Sequence, residues 1–111
     1  FRKGIEYLKL AIKVNPRYVE SVKLLGEVFL DNYYYEEAIV YLAIANQLNP
    51  ADDETLYNLA FVRFQLHQYN QSFDNCREIL QRNKRHAGAK YLLTMFRSEY
   101  VRSQRKLFPS R

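Results

Sequence analysis

The chain matches itself when it is shifted by 34 residues. Apolar positions then fall on apolar positions, and the Asn-Pro pair at 15–16 falls on another at 49–50. A fixed period of this length indicates stacked copies of one supersecondary unit that cannot bury its apolar face alone. The aligned apolar sets are Phe1, Tyr35 and Tyr69; Ile5, Ile39 and Phe73; Leu8, Leu42 and Cys76; Ala11, Ala45 and Ile79; Leu25, Leu59 and Leu93; and Val28, Val62 and Phe96.

Each unit is predicted to be a pair of helices, because apolar residues recur within each half at the i, i+3, i+4, i+7 spacing of an amphipathic helix. We expect two helices of a hairpin to approach most closely at small residues, Gly26 with Ala38 and Ala60 with Ser72. Proline cannot continue a helix, so Asn-Pro ends the second helix of each pair. Asp52 and Asp53 then favour the start of the next helix.

The stretch 19–52 resembles a tetratricopeptide repeat. The residues that carry the resemblance are Leu25-Gly26, Phe29, Tyr35, Ala38, Leu42, Ala45 and Pro50. Residues 53–86 resemble a second, divergent copy, which keeps Leu59-Ala60 and Tyr69. That copy departs from the family pattern at Arg63, Ser72, Ile79 and Lys84. The resemblance implies an all-α, right-handed α-solenoid of antiparallel helical hairpins, with six helices near 2–14, 19–31, 35–48, 53–66, 69–82 and 87–104.

The expected organisation is one domain over residues 1–104 and a basic tail over 105–111. Residues 1–18 are interpreted as a partial repeat and residues 87–104 as a C-terminal capping helix. The partial repeat leaves Phe1 and Tyr7 without a covering neighbour, so we expect self-association there, or packing on further protein. The opening Phe1 suggests a fragment or a processed chain. No apolar run reaches the roughly 20 residues of a transmembrane helix.

Catalysis, metal binding and cofactor binding are not expected. The single cysteine, Cys76, falls in register with Leu8 and Leu42 inside the core stripe. Because one cysteine cannot form an internal disulfide, it favours a reducing, cytoplasmic compartment. His67 is expected at a hairpin turn and His86 at a helix boundary, both solvated. One cysteine and two distant histidines do not make a zinc site, and no glycine-rich phosphate loop is present.

The resemblance implies a concave groove, lined by the first helix of each hairpin, that takes a peptide or a helix of a protein partner. The implied groove residues are Glu20, Lys23, Glu27, Leu30, Asp31, Glu54, Tyr57, Asn58, Phe61, Phe64, Gln65, Tyr91 and Met95, with Glu99 beyond them. Aromatic anchors beside acids predict a ligand with apolar anchors and basic flanks. Part of the aromatic strip, Phe61 and Phe64 above all, could equally be core between hairpins.

One subgroup of the family grips the C-terminal carboxylate of its ligand with a lysine, two asparagines and further cations. Lys23 and Asn58 match that pattern, but Glu27 replaces the first asparagine, and Gly88 and Leu92 stand where later cations belong. Glu27 would repel a carboxylate, so we expect no such clamp.

Positive charge is confined to the C-terminal third. Residues 1–76 carry seven Lys/Arg and ten Asp/Glu, whereas residues 77–111 carry ten Lys/Arg and two Asp/Glu. A possible anion-binding patch consists of Arg82, Lys84, Arg85 and Lys90, and Arg102, Arg105, Lys106 and Arg111 follow it. The alternative function is therefore contact with RNA or an anionic membrane. Nucleic acid is the less favoured ligand, because no nucleic-acid-reading motif is present and cations also suit helix C-termini.

Overall fold

A computed structural model describes residues 1–15 and 17–107, and for Lys106 and Leu107 it describes the backbone alone. Within these residues the chain forms six helices and no strand. The helices are α1 (Arg2–Val14), α2 (Val19–Asp31), α3 (Tyr35–Leu48), α4 (Asp53–Gln65), α5 (Tyr69–Arg82) and α6 (Ala87–Leu107). The expected all-α fold is confirmed. Helix α6 ends three residues later than predicted, and residues 108–111 of the expected tail lie outside the described residues.

The helices stack in chain order into an elongated body of 60 × 30 × 17 Å. Helices α2 and α3 form one hairpin, α4 and α5 form the next, and α6 packs on the second hairpin. The first helices of the hairpins also contact one another, α2 with α4 and α4 with α6. This arrangement puts α2, α4 and α6 on one side of the stack.

Both hairpin turns use a residue in the left-handed backbone region. Tyr33 has φ of 66° and His67 has φ of 63°, and the two lie one period apart. In the first turn the Tyr34 N–H donates to the Phe29 carbonyl at 2.9 Å and the Tyr33 N–H to the Leu30 carbonyl at 3.0 Å. These bonds satisfy carbonyls at the end of α2 that have no partner within the helix.

The core is continuous between the hairpins. Its buried apolar residues include Leu25, Ala38, Leu42, Leu56, Leu59, Ala60, Val62, Cys76, Ile79, Ala89 and Leu92. Gly26 lies close to α3 at Leu42, and not at Ala38 as predicted: a Cβ on Gly26 would lie 2.8 Å from Leu42 Cδ2. In the second hairpin the buried Ser72 hydroxyl donates to the Ala60 carbonyl at 2.7 Å. Small residues therefore set the spacing of the helices that carry the candidate site.

Candidate partner-binding surface

An aromatic depression, about 340 Å³ in volume, lies between α2, α4 and the turn after α2. Five of the residues expected in the groove line it together: Leu30, Asp31, Tyr57, Asn58 and Phe61. Tyr33 and Tyr35 complete its wall, and the Tyr35 ring meets Phe61 edge-on with centroids 6.4 Å apart. Sequence reasoning missed these two tyrosines because they belong to the turn and to the second helix of the hairpin.

A second, acidic depression of about 290 Å³ lies towards the N-terminal ends of α2 and α4. It brings together Glu20, Lys23, Glu27 and Glu54, which the sequence also predicted to share a surface. The remaining wall consists of Leu8, Tyr18, Ser21 and Leu24. Glu27 lies one helical turn before Asp31 of the aromatic depression, so α2 contributes residues to both.

Lys23 is held by acids of the next hairpin. Its Nζ lies 2.9 Å from Asp52 Oδ2 and 3.4 Å from Glu54 Oε2. The hydrogen bond to Asp52 raises the pKa of Lys23 against the opposing effect of burial, and the charges of Asp52 and Glu54 add to it. Burial opposes ionisation of Asp52 too, but hydrogen bonds from Lys23 and Thr55 leave its pKa below the ordinary value. The positive charge of Lys23 is thus balanced by two carboxylates of the same chain.

Glu27 is a half-buried acid of this surface. Its Oε1 atom is buried and has no hydrogen-bond partner among the described residues. Burial raises the pKa of Glu27, and the negative charge of Glu54 raises it further. With Lys23 paired and Leu92 only 2% exposed, the positions of a carboxylate clamp provide no free cation. That the chain has no such clamp stays a prediction.

Tyr57 is fixed between α4 and the start of α6. A Cβ on Gly88 would lie 2.6 Å from Tyr57 Cε1, so the ring packs directly on the glycine backbone. The His86 ring lies 5.4 Å from the Tyr57 ring, and the Ala89 N–H donates to His86 Nδ1 at 3.1 Å. His86 is therefore a half-buried cap of α6, not the solvated side chain that the sequence predicted.

The other four residues expected in the groove line neither depression. Phe64 is half-buried and meets the Tyr69 ring at 5.2 Å, as an interhelical core residue does. Met95 is half-buried, whereas Gln65 and Tyr91 are exposed.

Of the four cations in the basic patch, Arg82 is the one that is paired within the described residues. That guanidinium lies 2.7 Å from Asp53 Oδ1 and donates to the Pro50 carbonyl at 2.7 Å, which joins α5 to the start of α4. Lys84, Arg85 and Lys90 are exposed. Three cations of the patch thus face solvent, and the fourth has a structural role.

Cys76 and His67 are two of the residues considered for catalysis. Cys76 is 1% exposed, and burial raises the pKa of its thiol to about 11. His67 is exposed, and its Nδ1 lies 2.7 Å from the Tyr69 hydroxyl. Among the described residues, no three His, Cys, Asp or Glu side chains are grouped as a metal site would require. No helix in the same part of the chain is long and apolar enough to span a bilayer.

Solved structures with the same arrangement of helices exist. MamA superposes with a TM-score of 0.82 at 24% identity, over 87% of this chain and 57% of that one. The tetratricopeptide-repeat (TPR) domain of Arabidopsis OM64 gives 0.76 at 17% identity, over 86% and 78% of the two chains. The TPR domain of P58(IPK) gives 0.80 at 22% identity, over 93% and 29%.

The chain spans little more than half the length of the MamA structures that it matches. No family model and no curated protein sequence matches the chain. At these identities the likeness concerns the path of the backbone, and it agrees with the 34-residue period and the six helices. The chain has the tetratricopeptide-repeat fold.

Proposed function

We propose that this chain is a protein-interaction module, and that α2 and α4 bind a peptide or helix of a partner protein. The observation that carries the proposal is the aromatic depression, where Tyr57 and Phe61 stand beside Asp31 and Asn58. Half-buried aromatic rings held in place by their neighbours provide apolar anchor sites at little entropic cost. In the proposed organisation, repeats 19–52 and 53–86 supply α2 and α4, with 1–18 as a partial repeat and 87–104 as the cap.

The charge of the proposed ligand follows from the charged residues that line the two depressions. Lys23 is already paired with Asp52 and Glu54, so the acids of the lining that have no cation partner among the described residues are Glu20, Glu27 and Asp31 on α2. A ligand that places Lys or Arg along α2 satisfies these groups, whereas an acidic ligand meets uncompensated repulsion. We therefore infer a segment with apolar anchors and basic flanks.

Contact of the basic patch with RNA or an anionic membrane remains the alternative function. Arg82 is engaged by Asp53 and Pro50, which leaves Lys84, Arg85 and Lys90 for such a contact. These three cations line neither the aromatic nor the acidic depression. The α2–α4 surface is therefore the better supported of the two.

A peptide array tests the proposal directly. The array holds segments with Phe, Leu or Met anchors, flanked by either Lys/Arg or Asp/Glu. We expect retention of the basic set, and we expect Asp31→Lys to weaken that binding by about tenfold or more. Asp74→Lys is the matched control, because it makes the same charge reversal at an exposed position of α5.

Two results would contradict the groove. One is equal retention of basic and acidic peptides; the other is equal loss of binding in Asp31→Lys and Asp74→Lys. A titration of single-stranded RNA at two salt concentrations covers the alternative, because a phosphate-driven complex weakens steeply with salt. Tight, salt-sensitive RNA binding that is lost in Lys84→Ala/Arg85→Ala would favour the basic patch.

A further inference from the structure

The aromatic depression combines rings with a carboxylate. Its rings are those of Tyr33, Tyr35, Tyr57 and Phe61. Asp31 adds a carboxylate to this lining, and Leu30 an aliphatic side chain. A site for an aliphatic anchor needs no carboxylate, whereas the electron-rich faces of aromatic rings beside a carboxylate attract a cation. The chemistry of the wall therefore points to a positively charged group.

The rings of the depression are arranged at steep angles to one another. The Tyr33 ring meets the Tyr35 ring with centroids 6.3 Å apart and planes at 86°. The Tyr35 ring meets the Phe61 ring with planes at 73°. Because neighbouring planes are nearly perpendicular, the three rings form corners and not a flat platform. Aromatic side chains that surround a bound cation are arranged in a similar way.

Asp31 is available to a ligand. Its side chain is exposed and has no cation partner among the described residues. Lys23, on the same helix, is bound to Asp52 and Glu54. The described lining of the depression contains no Lys or Arg. A positive charge that balances Asp31 must therefore come from the ligand.

Tyr33 occupies a backbone position that is costly for an aromatic residue. Its φ of 66° lies in the left-handed region that glycine favours after a helix. Its ring is 77% exposed, so it contributes little to the core. A strained backbone that carries an exposed ring is typical of a residue kept for function and not for stability.

The equivalent place one period later has different chemistry. Gln65 stands at the position of Asp31, and His67 stands at that of Tyr33. His67 has nearly the same φ as Tyr33, 63°. The carboxylate and the Tyr33 ring are therefore particular to the first repeat, and the packing of the stack does not require them.

We propose that the aromatic depression binds the side chain of an arginine in the partner segment, an inference that rests on the proposed function. The aliphatic stem of the arginine lies on the rings, and its guanidinium donates two hydrogen bonds to Asp31. Arginine suits this wall better than lysine, because a planar guanidinium stacks on aromatic faces and forks onto a carboxylate. One residue thus provides both the apolar anchor and the basic flank.

The surroundings favour a side chain of a protein segment over a free organic cation. The volume of the depression, about 340 Å³, is near the lower limit of small-molecule pockets, about 300 Å³. Glu20 and Glu27 extend the negative charge along α2 from Asp31. A free cation would use Asp31 alone, whereas a basic segment also pairs with these two acids.

Capped nonapeptides with one variable position test the assignment. Their sequence is Ser-Gly-Lys-Gly-X-Gly-Lys-Gly-Ser, in which X is Arg, Lys, citrulline or Leu. Citrulline has nearly the shape of arginine but no charge, and the flanking lysines are the same throughout. Titrated into the full chain, the Arg peptide should bind with a Kd below about 1 mM. The citrulline and Leu peptides should bind about tenfold more weakly, and the Lys peptide severalfold more weakly.

Tyr33→Gly is the decisive variant. Glycine adopts positive φ without strain, so the variant should melt at or above the wild-type temperature. It should nevertheless weaken binding of the Arg peptide by about fivefold or more, because it removes one ring of the wall. Tyr33→Leu should weaken binding as well, whereas Tyr33→Phe should not. His67→Gly makes the same backbone change one period later and is the control that should bind like the wild type.

Asp31→Asn separates charge from shape. It keeps the size of the side chain and removes the carboxylate, so the preference for the Arg peptide over the citrulline peptide should fall to about threefold or less. A merely structural role of Asp31 would leave that preference unchanged.

Four results would overturn the assignment. Equal binding of the Arg peptide and the Leu or citrulline peptide would make the depression an apolar anchor site and leave the proposed function intact. Unchanged binding of the Arg peptide in both Tyr33→Gly and Asp31→Asn would place the arginine elsewhere. Binding of the Lys peptide as tight as that of the Arg peptide would contradict the choice of arginine. Tighter binding of choline than of the Arg peptide would make the occupant a free organic cation.

Failure of the proposed function is a separate outcome. It would show in the peptide array as equal losses in Asp31→Lys and Asp74→Lys. No binding of any nonapeptide up to about 1 mM, with the array still retaining basic segments, would overturn the arginine assignment alone.

Discussion

Asp52 and Lys23 join the first helices of the two hairpins. Asp52 Oδ1 accepts the N–H groups of Glu54 at 3.1 Å and Thr55 at 3.4 Å, which caps α4. Asp52 Oδ2 lies 2.9 Å from Lys23 Nζ on α2. One carboxylate thus starts a helix and fixes its neighbour, and the groove surface depends on both.

Substitutions at Asp52 should separate these two roles. Asp52→Asn keeps an oxygen for the cap but loses the negative charge, so we expect a loss of roughly 0.5 kcal/mol in unfolding free energy. Asp52→Ala loses the cap as well and should cost about 1 kcal/mol more. Urea unfolding at pH 7 measures both. The folded pKa of Asp52 is lowered. The stability that its charge contributes should therefore be lost as the pH falls below the ordinary pKa of an aspartate, 3.8. Equal losses for Asn and Ala would contradict the cap.

Glu27→Gln should stabilise the fold at neutral pH. Burial and Glu54 raise the pKa of Glu27, so its ionised form is less favourable in the folded chain than in the unfolded chain. That penalty is present above the folded pKa and is absent below the unfolded one, near 4.5. Thermal melts at pH 7 and pH 3.5 test this: Glu27→Gln should have a higher melting temperature than the wild type only at pH 7. Glu20→Gln, on the exposed side of α2, should show a smaller difference.

Two glycines should respond in opposite directions to alanine. Gly4→Ala should raise the unfolding free energy by about 0.5–1 kcal/mol, because alanine favours a helix and the new Cβ meets open space. Gly26→Ala should lower it, since the Cβ would lie 2.8 Å from Leu42 Cδ2 and 3.2 Å from the Leu42 backbone N. Chemical denaturation of both variants in parallel provides the comparison. A gain in Gly26→Ala would show that the hairpin is looser than described.

Cys76 should be inert to thiol reagents in the folded state. Burial raises its pKa from 9.0 to about 11, and at a given pH that shift alone lowers the thiolate fraction about a hundredfold. Labelling with an aromatic disulfide at pH 8 should therefore be at least about a hundredfold slower in buffer than in concentrated urea. Similar rates in the two solutions would contradict a buried thiol.

The sequence predicted the helices well because the 34-residue period reports on the core. Leu25, Leu42 and Leu59 recur where burial demands apolar side chains, and Asp52 has the side chain of a helix cap. The turns were harder to foresee: Tyr33 and His67 adopt positive φ, which glycine or asparagine would have signalled.

The surface was only partly foreseeable, because side-chain partners depend on packing between repeats. Register placed Lys23 on the groove but did not show that Asp52 neutralises it. It also placed His86 at a helix boundary without showing that it caps α6 and contacts Tyr57. Which predicted groove residues contact a ligand stays a prediction.

The divergent repeat, residues 53–86, should become more stable if it is given the aromatic pair of the first repeat. Arg63 and Asn75 stand one period after Phe29 and Tyr41, and Arg63 Nη1 donates to Asn75 Oδ1 at 2.7 Å. Arg63 Nε is buried without a partner, and burial lowers the pKa of the guanidinium. Replacing both residues, Arg63→Phe with Asn75→Tyr, removes this desolvated charge and restores the stacked pair. We expect a gain of about 1 kcal/mol in unfolding free energy.

The single variant Asn75→Ala provides the contrast. It leaves the part-buried Arg63 Nη1 without its acceptor, so it should lower the unfolding free energy by about 1 kcal/mol. Urea unfolding of the wild type, of this variant and of the double variant ranks their three unfolding free energies directly. Because the pair lies within the α4–α5 hairpin, away from the residues that line the two depressions, the double variant should bind peptides like the wild type. A double variant less stable than the wild type would show that the second hairpin is spaced for an Arg–Asn pair and has no room for two stacked rings.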